Sequence, residues 1–295
     1  MKQRAAGICI AALLTTISLP ATTPNGLPIY IEDNHAGTFY WLAQNIDLDQ
    51  SYTLLLFDAH SDASGIFDSD KIRDALRNVA SRQNRQTLLD RWRSKGAVQC
   101  FNWIEPLMPA PIAKVIWVPA EKLSGTEIRT RNERATSLLG GHLEAAPRKS
   151  GSLQEAYVVS DFEHLEKEIA PDQQLIVTID LDYFAGRSAT EQEAAFAKIW
   201  DFVIKRPKLR AITFAISLPY LNSEDEADRL LKLAVVSALS LPTASCMSAS
   251  TSSRKGGAVG GSVPAKPSTV ATAPAAPSWL GSDWCPRLPF AHYAG

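Results

Sequence analysis

The chain has 295 residues, 45% of them hydrophobic and 21% charged, enough to build one large globular domain or two small ones. Lys plus Arg number 30 against 31 for Asp plus Glu, a net charge of -1, which removes the electrostatic case for nucleic acid or an anionic membrane surface as partner. Cys9, Cys100, Cys246 and Cys285 show no paired spacing of the zinc or redox type, which argues against thiolate metal chemistry.

Lys2 and Arg4 precede an uncharged, small-residue-rich apolar run from Ala5 to Leu19, and Pro20-Ala21-Thr22-Thr23 follows. Residues 1–23 therefore read as a signal peptide, with export to the periplasm or the medium, or else as a buried first element of a cytoplasmic protein. The run is too short and too weakly apolar for a membrane span.

Pro28 to Ile31 reads as a short strand and Ala36 to Gln44 as a helix, with His35 between them at the strand's carboxyl end. A lone histidine there is a cap, a core group or a ligand. Leu54 to Phe57 is continuously apolar, as suits a strand buried on both faces of a parallel sheet, and it runs into Asp58-Ala-His60-Ser-Asp62. That i, i+2, i+4 spacing puts three metal-ligand side chains on one side while the chain stays extended, beyond the strand end where open α/β sheets bind ligands.

Asp70 to Arg93 reads as a basic helical region interrupted near Gln83 and Asn84; its arginines are a solvated face or, in the alternative, a lure for an anionic substrate. Val98 to Met108 brings Asn102, Trp103 and Glu105 together before Pro106 in the manner of a loop lining a substrate pocket, or of a buried aromatic anchor with incidental neighbours. Lys114 to Val118 is the next strand. From Ala120 to Pro171 the pattern is looser; His142 there is a proton shuttle or a surface-loop histidine, and His164 is solvated.

Gln174 to Ile179 repeats the apolar strand and ends in Asp180-Leu-Asp182. A helix from Thr190 to Lys205, a strand from Leu209 to Leu218 and a helix that starts at Asn222-Ser223-Glu224-Asp225-Glu226 complete the alternation. It implies an α/β fold, a three-layer α/β/α domain over residues 27–241 with a mostly parallel sheet. From Pro242 to Gly295 the composition turns to Ser, Ala, Pro, Gly and Thr with one acid, Asp283. That is the mark of a disordered low-complexity tail, or of a lost reading frame that leaves the C-terminal sheet edge truncated and open.

If the two motif-bearing strands are neighbours, four carboxylates and an imidazole converge. They cannot all stay ionised in a partly buried pocket without a positive charge among them, and one or two divalent cations are the simplest answer. Mixed oxygen and nitrogen ligation favours manganese, with zinc or iron as alternatives.

Asp58-Ala-His60-Ser-Asp62 and Asp180-Leu-Asp182 resemble the two metal-binding signatures of the arginase and ureohydrolase group, whose fold is shared with histone deacetylases. The resemblance implies two manganese ions with a bridging hydroxide that attacks a planar carbon. It further implies Asp58 and Asp180 as bridging ligands, with His35 and Asp62 on one ion and His60 and Asp182 on the other. A closer likeness, carried by the Asn34-His35 segment, the Asp58 motif, Asn102-Trp103-Ile104 and the strand from Ala211 to Leu218, is to the uncharacterised protein family UPF zero-four-eight-nine. The chain departs from true ureohydrolases at Glu32-Asp33-Asn34, at Tyr183-Phe184-Ala185-Gly186 and at Ile216, which falls where they carry a guanidinium-gripping glutamate.

These features together imply a metal-dependent hydrolase that acts on the C-N bond of a small amide-like or amidine-like molecule, with Asp182 or His142 moving the proton. The alternative is a metal-binding or ligand-binding protein on the same scaffold without turnover. The sequence does not set the oligomeric state.

Overall fold

The structure, a computed structural model, describes residues 21–22, 26–66, 68–79, 81–143 and 153–241. Of residues 1–23, read above as a signal peptide or a buried first element, only Ala21 and Thr22 fall in that set, and residues 242–295 lie outside it.

Seven strands form one sheet: β1 (Ala21–Thr22), β2 (Pro28–Glu32), β3 (Tyr52–Phe57), β4 (Ile112–Val118), β5 (Tyr157–Val159), β6 (Leu175–Asp180) and β7 (Leu209–Ala215). Their order across the sheet is β1-β2-β7-β6-β3-β4-β5, and all neighbours run parallel except the antiparallel β1 and β2. Every residue of β3 and β6 is buried, because both central strands are covered on both faces.

The helices are α1 (His35–Asn45), α2 (Ser69–Asn78), α3 (Arg82–Ser94), α4 (Gly125–Leu143), α5 (Leu153–Ala156), α6 (Leu165–Glu168), α7 (Ala189–Ile204) and α8 (Glu224–Leu239). Alternation along β3 divides the core. Leu54 and Leu56 join Phe39, Leu76, Leu89 and Leu139, from α1 to α4, on one face; Leu55 and Phe57 join Leu165, Phe196, Ile199 and Leu230, from α6 to α8, on the other. The result is three layers, α/β/α. No helix among the described residues is long and apolar enough to cross a membrane.

Several elements depart from the sequence reading. The stretch with the looser pattern from Ala120 onward contains the 19-residue helix α4, the short helix α5 and the edge strand β5, and β1 falls within residues 1–23. The α4 start is a capping box in which Ser124 Oγ and backbone N–H donate to Glu127 Oε2, and the Glu127 N–H donates back to Ser124 Oγ.

The strand order creates one switch point. After β3 the chain turns to β4 on one side, and after β6 it turns to β7 on the other, so a crevice opens beyond the ends of these two neighbours. Register pairs Phe57 with Ile179, and Asp58 and Asp180 therefore leave the sheet side by side.

At the end of β2, Glu32 is buried and accepts hydrogen bonds from Tyr30 Oη and, at 2.8 Å, from Arg93 on α3. A Cβ on Gly37 of α1 would lie 2.0 Å from Glu32 Cγ. Helix propensity alone favours Gly37→Ala by about 1 kcal/mol, whereas expelling Glu32 from its partners costs about 1–3 kcal/mol. The clash should win. Urea unfolding of Gly37→Ala should show a net loss of stability, and a gain would mean that Glu32 moves aside freely.

Candidate metal centre

Four strand ends contribute. Asp58, His60 and Asp62 come from the segment after β3, Asp180 and Asp182 from the end of β6 and the turn beyond it, His35 from the first turn of α1, and Ser217 from the residues after β7. Asn34 caps α1 by accepting from the Ala36 N–H at 3.0 Å, which fixes where His35 leaves the helix. Asp62 (φ 48°) and Ser217 (φ 50°) are the only non-glycine residues with positive φ among those described. Both sit at this site, where left-handed backbone strain on ordinary residues is held by the surroundings.

Two groups of ligand-type side chains result. His35, Asp58 and Asp180 form one; Asp58, His60 and Asp182 form the other; within each, one ligand atom per residue lies within 4.8 Å of the rest. Asp58 belongs to both. His35 Nδ1 stands 3.1 Å from Asp58 Oδ2 and 3.6 Å from Asp180 Oδ2, while His60 Nδ1 stands 3.1 Å from Asp182 Oδ2 and 3.6 Å from Asp58 Oδ1. Asp58 Oδ2 and Asp182 Oδ2 are nevertheless buried with no aligned hydrogen-bond donor. Such orphaned carboxylate oxygens facing imidazoles fit a divalent ion, and the all-oxygen-and-nitrogen donor set suits manganese, zinc or iron.

The remaining bonds orient the ligands. His60 N–H donates to Asp58 Oδ1 at 2.7 Å, Asp182 N–H to Asp180 Oδ1 at 3.0 Å, and Ser217 Oγ to Asp180 Oδ2 at 2.6 Å. Trp117 Nε1 holds the Asp58 carbonyl at 2.9 Å. His35 Nε2 lies 3.1 Å from Thr178 Oγ1. Asp62 is in neither trio as they stand; its Oδ2 is 2.8 Å from His35 Nδ1 and accepts from Trp103 Nε1 at 2.6 Å.

The electrostatics show how uncomfortable these acids are. Burial, with the charges of Asp182 and Asp58, pushes the Asp180 carboxyl well above the usual range, and burial with the Asp58 charge raises Asp62 to about 6. Burial also raises Asp182. Burial would raise Asp58 and lower His35, but the contacts between them, with help from His60 and Asp62, reverse both directions. Hydrogen bonds to Asp182 and Asp58 hold the His60 imidazole up at about 11. Protons stand in for a cation.

The centre opens into a cleft of about 650 Å³. His35, His60, Asp62 and Asp180 floor it, and Cys100, Phe101, Tyr220 and one face of α4 wall it. The three residues read from sequence as pocket lining lie behind this wall. Asn102 Oδ1 accepts from the Gln99 N–H, Trp103 supports Asp62, and Glu105 is buried in a pair with Arg73 at 2.5 Å while accepting from the Ile66 N–H. These bonds commit Asn102 Oδ1, Trp103 Nε1 and both Glu105 carboxylate oxygens within the protein, and the neighbours Cys100 and Phe101 line the cleft instead. Asp182 is likewise buried, behind His60 rather than among the residues lining the cleft. His142 falls in the last turn of α4, and its side chain lies outside the described residues. His164 is exposed and within 2.6 Å of Asp161. Sequence reasoning missed Ser217, Trp117 and the α4 face; only the last left a signal, the Ser124-x-x-Glu127 box.

No family model matches the chain and no curated protein does, so the narrower likeness to the UPF zero-four-eight-nine family rests on the motifs alone. Among solved structures the chain is similar to the arginase of Entamoeba histolytica in complex with L-ornithine, at 14% identity, TM-score 0.36, over 72% of this chain and 69% of that one. It is similar also to the arginase of Bacillus subtilis, at 15% identity, TM-score 0.36, over 73% and 71%. Formimidoylglutamase from Bacillus subtilis matches at 12% identity, TM-score 0.34, over 72% and 60%. At these identities and scores the likeness carries nothing about what this chain binds or acts on.

Four outcomes test the centre. Asp58→Asn should lose metal from both trios and Asp182→Asn from one, read as metal-to-protein ratio after dialysis; identical ratios in the two variants refute the sharing of Asp58. Trp103→Phe should weaken the site about tenfold by releasing Asp62, measured by competition with a metallochromic dye. With chelator present, stability should fall as pH rises through the interval from 3.8 to about 6, because folded Asp62 keeps a proton that the unfolded chain has lost. Added Mn2+ replaces those protons, so it should raise the unfolding temperature more at about pH 8 than at about pH 5.

Proposed function

We propose that the chain is a metal-dependent hydrolase of a C-N bond, of amide or amidine type. The reading is carried by one observation: a buried carboxylate, Asp58, shared between two carboxylate-imidazole trios whose His35, His60 and Asp180 reach the floor of an open cleft. His35, Asp58 and Asp180 would hold one ion, and His60, Asp58 and Asp182 a second. Such an ion supplies Lewis-acid polarisation and a water acidic enough to attack near neutral pH.

The chain's own residues do the rest. His35 and His60 bring imidazole nitrogen to an otherwise all-oxygen site, and Thr178 and Trp103 fix the ring and the carboxylate that surround His35. Asp182, buried behind His60 with its Oδ2 3.1 Å from His60 Nδ1, would help hold the second ion and sets the imidazole that lines the cleft. Phe101, Leu138 and Tyr220 limit water at the cleft mouth. Ile216 offers no carboxylate for a guanidinium, which steers the substrate away from arginine.

The test is a panel of amides, acetylated amines, amidines and guanidines, assayed with Mn2+ for release of amine or ammonia. Wild type should turn over at least one class, chelator should abolish that activity, and metal should restore it. Asp182→Asn should cut kcat by about a hundredfold while the His35 trio keeps its ion. Metal bound in stoichiometric amount with no turnover across the panel would leave a metal-binding protein without catalysis.

A further inference from the structure

We propose that the substrate is an amphipathic acid, an amide with an apolar group at one end and a single anionic group at the other, which pairs with Arg134 of α4. The identity of the bond that is cut rests on the hydrolase reading above; the apolar and anionic contacts do not.

Exposed apolar side chains gather at two places, this cleft and the outer face of α8, where Val235, Val236 and Leu239 lie, and only the cleft also opens onto the buried carboxylates. Of seven large apolar side chains exposed among the described residues, Phe101, Leu138 and Tyr220 all line this cleft, at 46%, 45% and 53% exposure. Water against three such groups around one opening is a cost that an apolar ligand removes. Tyr220 packs its ring 4.8 Å from that of His60, so the apolar rim reaches the floor where the acids lie.

Charge on the α4 wall singles out one residue. Glu127 is turned back onto Ser124 by the capping box. Arg131 is paired with Glu121 and stacked 5.6 Å over Trp117. Arg134, one turn further along the face that carries Thr126 and Thr130, lines the cleft and makes no hydrogen bond or ion pair among the described residues. An uncommitted guanidinium opposite a carboxylate floor is open to a ligand's anionic group, and a carboxylate presents the matching fork. The acidic floor repels that group, so the anionic end must lie at the α4 wall with the amide carbon over the floor. Hydrolysis then adds the oxygen of water to the acyl carbon, breaks the C-N bond, and delivers the water's proton to nitrogen, giving a carboxylic acid and an amine.

Binding of phenylacetylglycine, its neutral analogue phenylacetylglycinamide, and acetylglycine to the full chain, measured by calorimetry with and without Mn2+, tests this. Phenylacetylglycine should bind roughly fivefold more tightly than either analogue. Arg134→Met should erase the preference for acid over amide while leaving affinity for the amide unchanged. The double variant Phe101→Ser, Leu138→Ser should erase the preference for phenylacetyl over acetyl. All three positions are exposed, and circular dichroism checks that the fold is kept. Equal affinity for acid and amide, a preference that survives Arg134→Met, or no binding of any probe overturns the proposal. An Arg134-dependent preference in a chain that holds no Mn2+ upholds it and sinks the hydrolase reading. Amide turnover without that preference does the reverse.

Discussion

Repulsion among buried carboxylates governs the carboxyl end of this sheet. Asp58, Asp62, Asp180 and Asp182 are all nearly inaccessible to water, and His35 is the one buried imidazole among them. The surrounding chain answers with every donor within reach: backbone N–H groups of Ala59, His60 and Asp182, the hydroxyl of Ser217 and the indole of Trp103. Even so, two carboxylate oxygens are left without a donor. Such an arrangement adds nothing to stability by itself, since replacing the acids by apolar groups would be neutral or better, and an entering cation would relieve it.

The scaffold behind the site is stiff for the same reason. Trp103 sits wholly inside the core with its N–H committed to Asp62, and the loop that carries it is fastened by the buried Glu105 and Arg73 pair. A buried ion pair adds little net stability, but breaking it leaves one charge stranded. Its contribution here is to hold the Trp103 loop, and through it Asp62, in one place.

How much of this the sequence disclosed depends on whether the signal is local. The two central strands were legible because burial on both faces demands unbroken apolar runs, and the acids at their ends stood out against them. The pairing of those strands has no local signal, and the register of Phe57 with Ile179 supplies it. α4 was hidden by its threonines, arginines and paired glycines, which dilute the helical periodicity, although its capping box was in plain view. β5, with three residues, is too short to produce a pattern at all. Asn102, Trp103 and Glu105 illustrate a harder limit: a polar and aromatic cluster in a loop reads identically whether it faces a cavity or props one up from behind.

The adjacency of Asp58 and Asp180 bears on how the chain finds its fold. Side chains on neighbouring strands alternate, so a one-step slip between β3 and β6 would throw one of the two acids into the opposite layer. Both strands are almost uniformly apolar, and packing alone discriminates poorly between such slipped arrangements. An ion gripped from both strands does discriminate, because a misaligned pair cannot reach it together. Metal would then act as a proofreader of assembly, rewarding the single alignment in which distant parts of the chain agree.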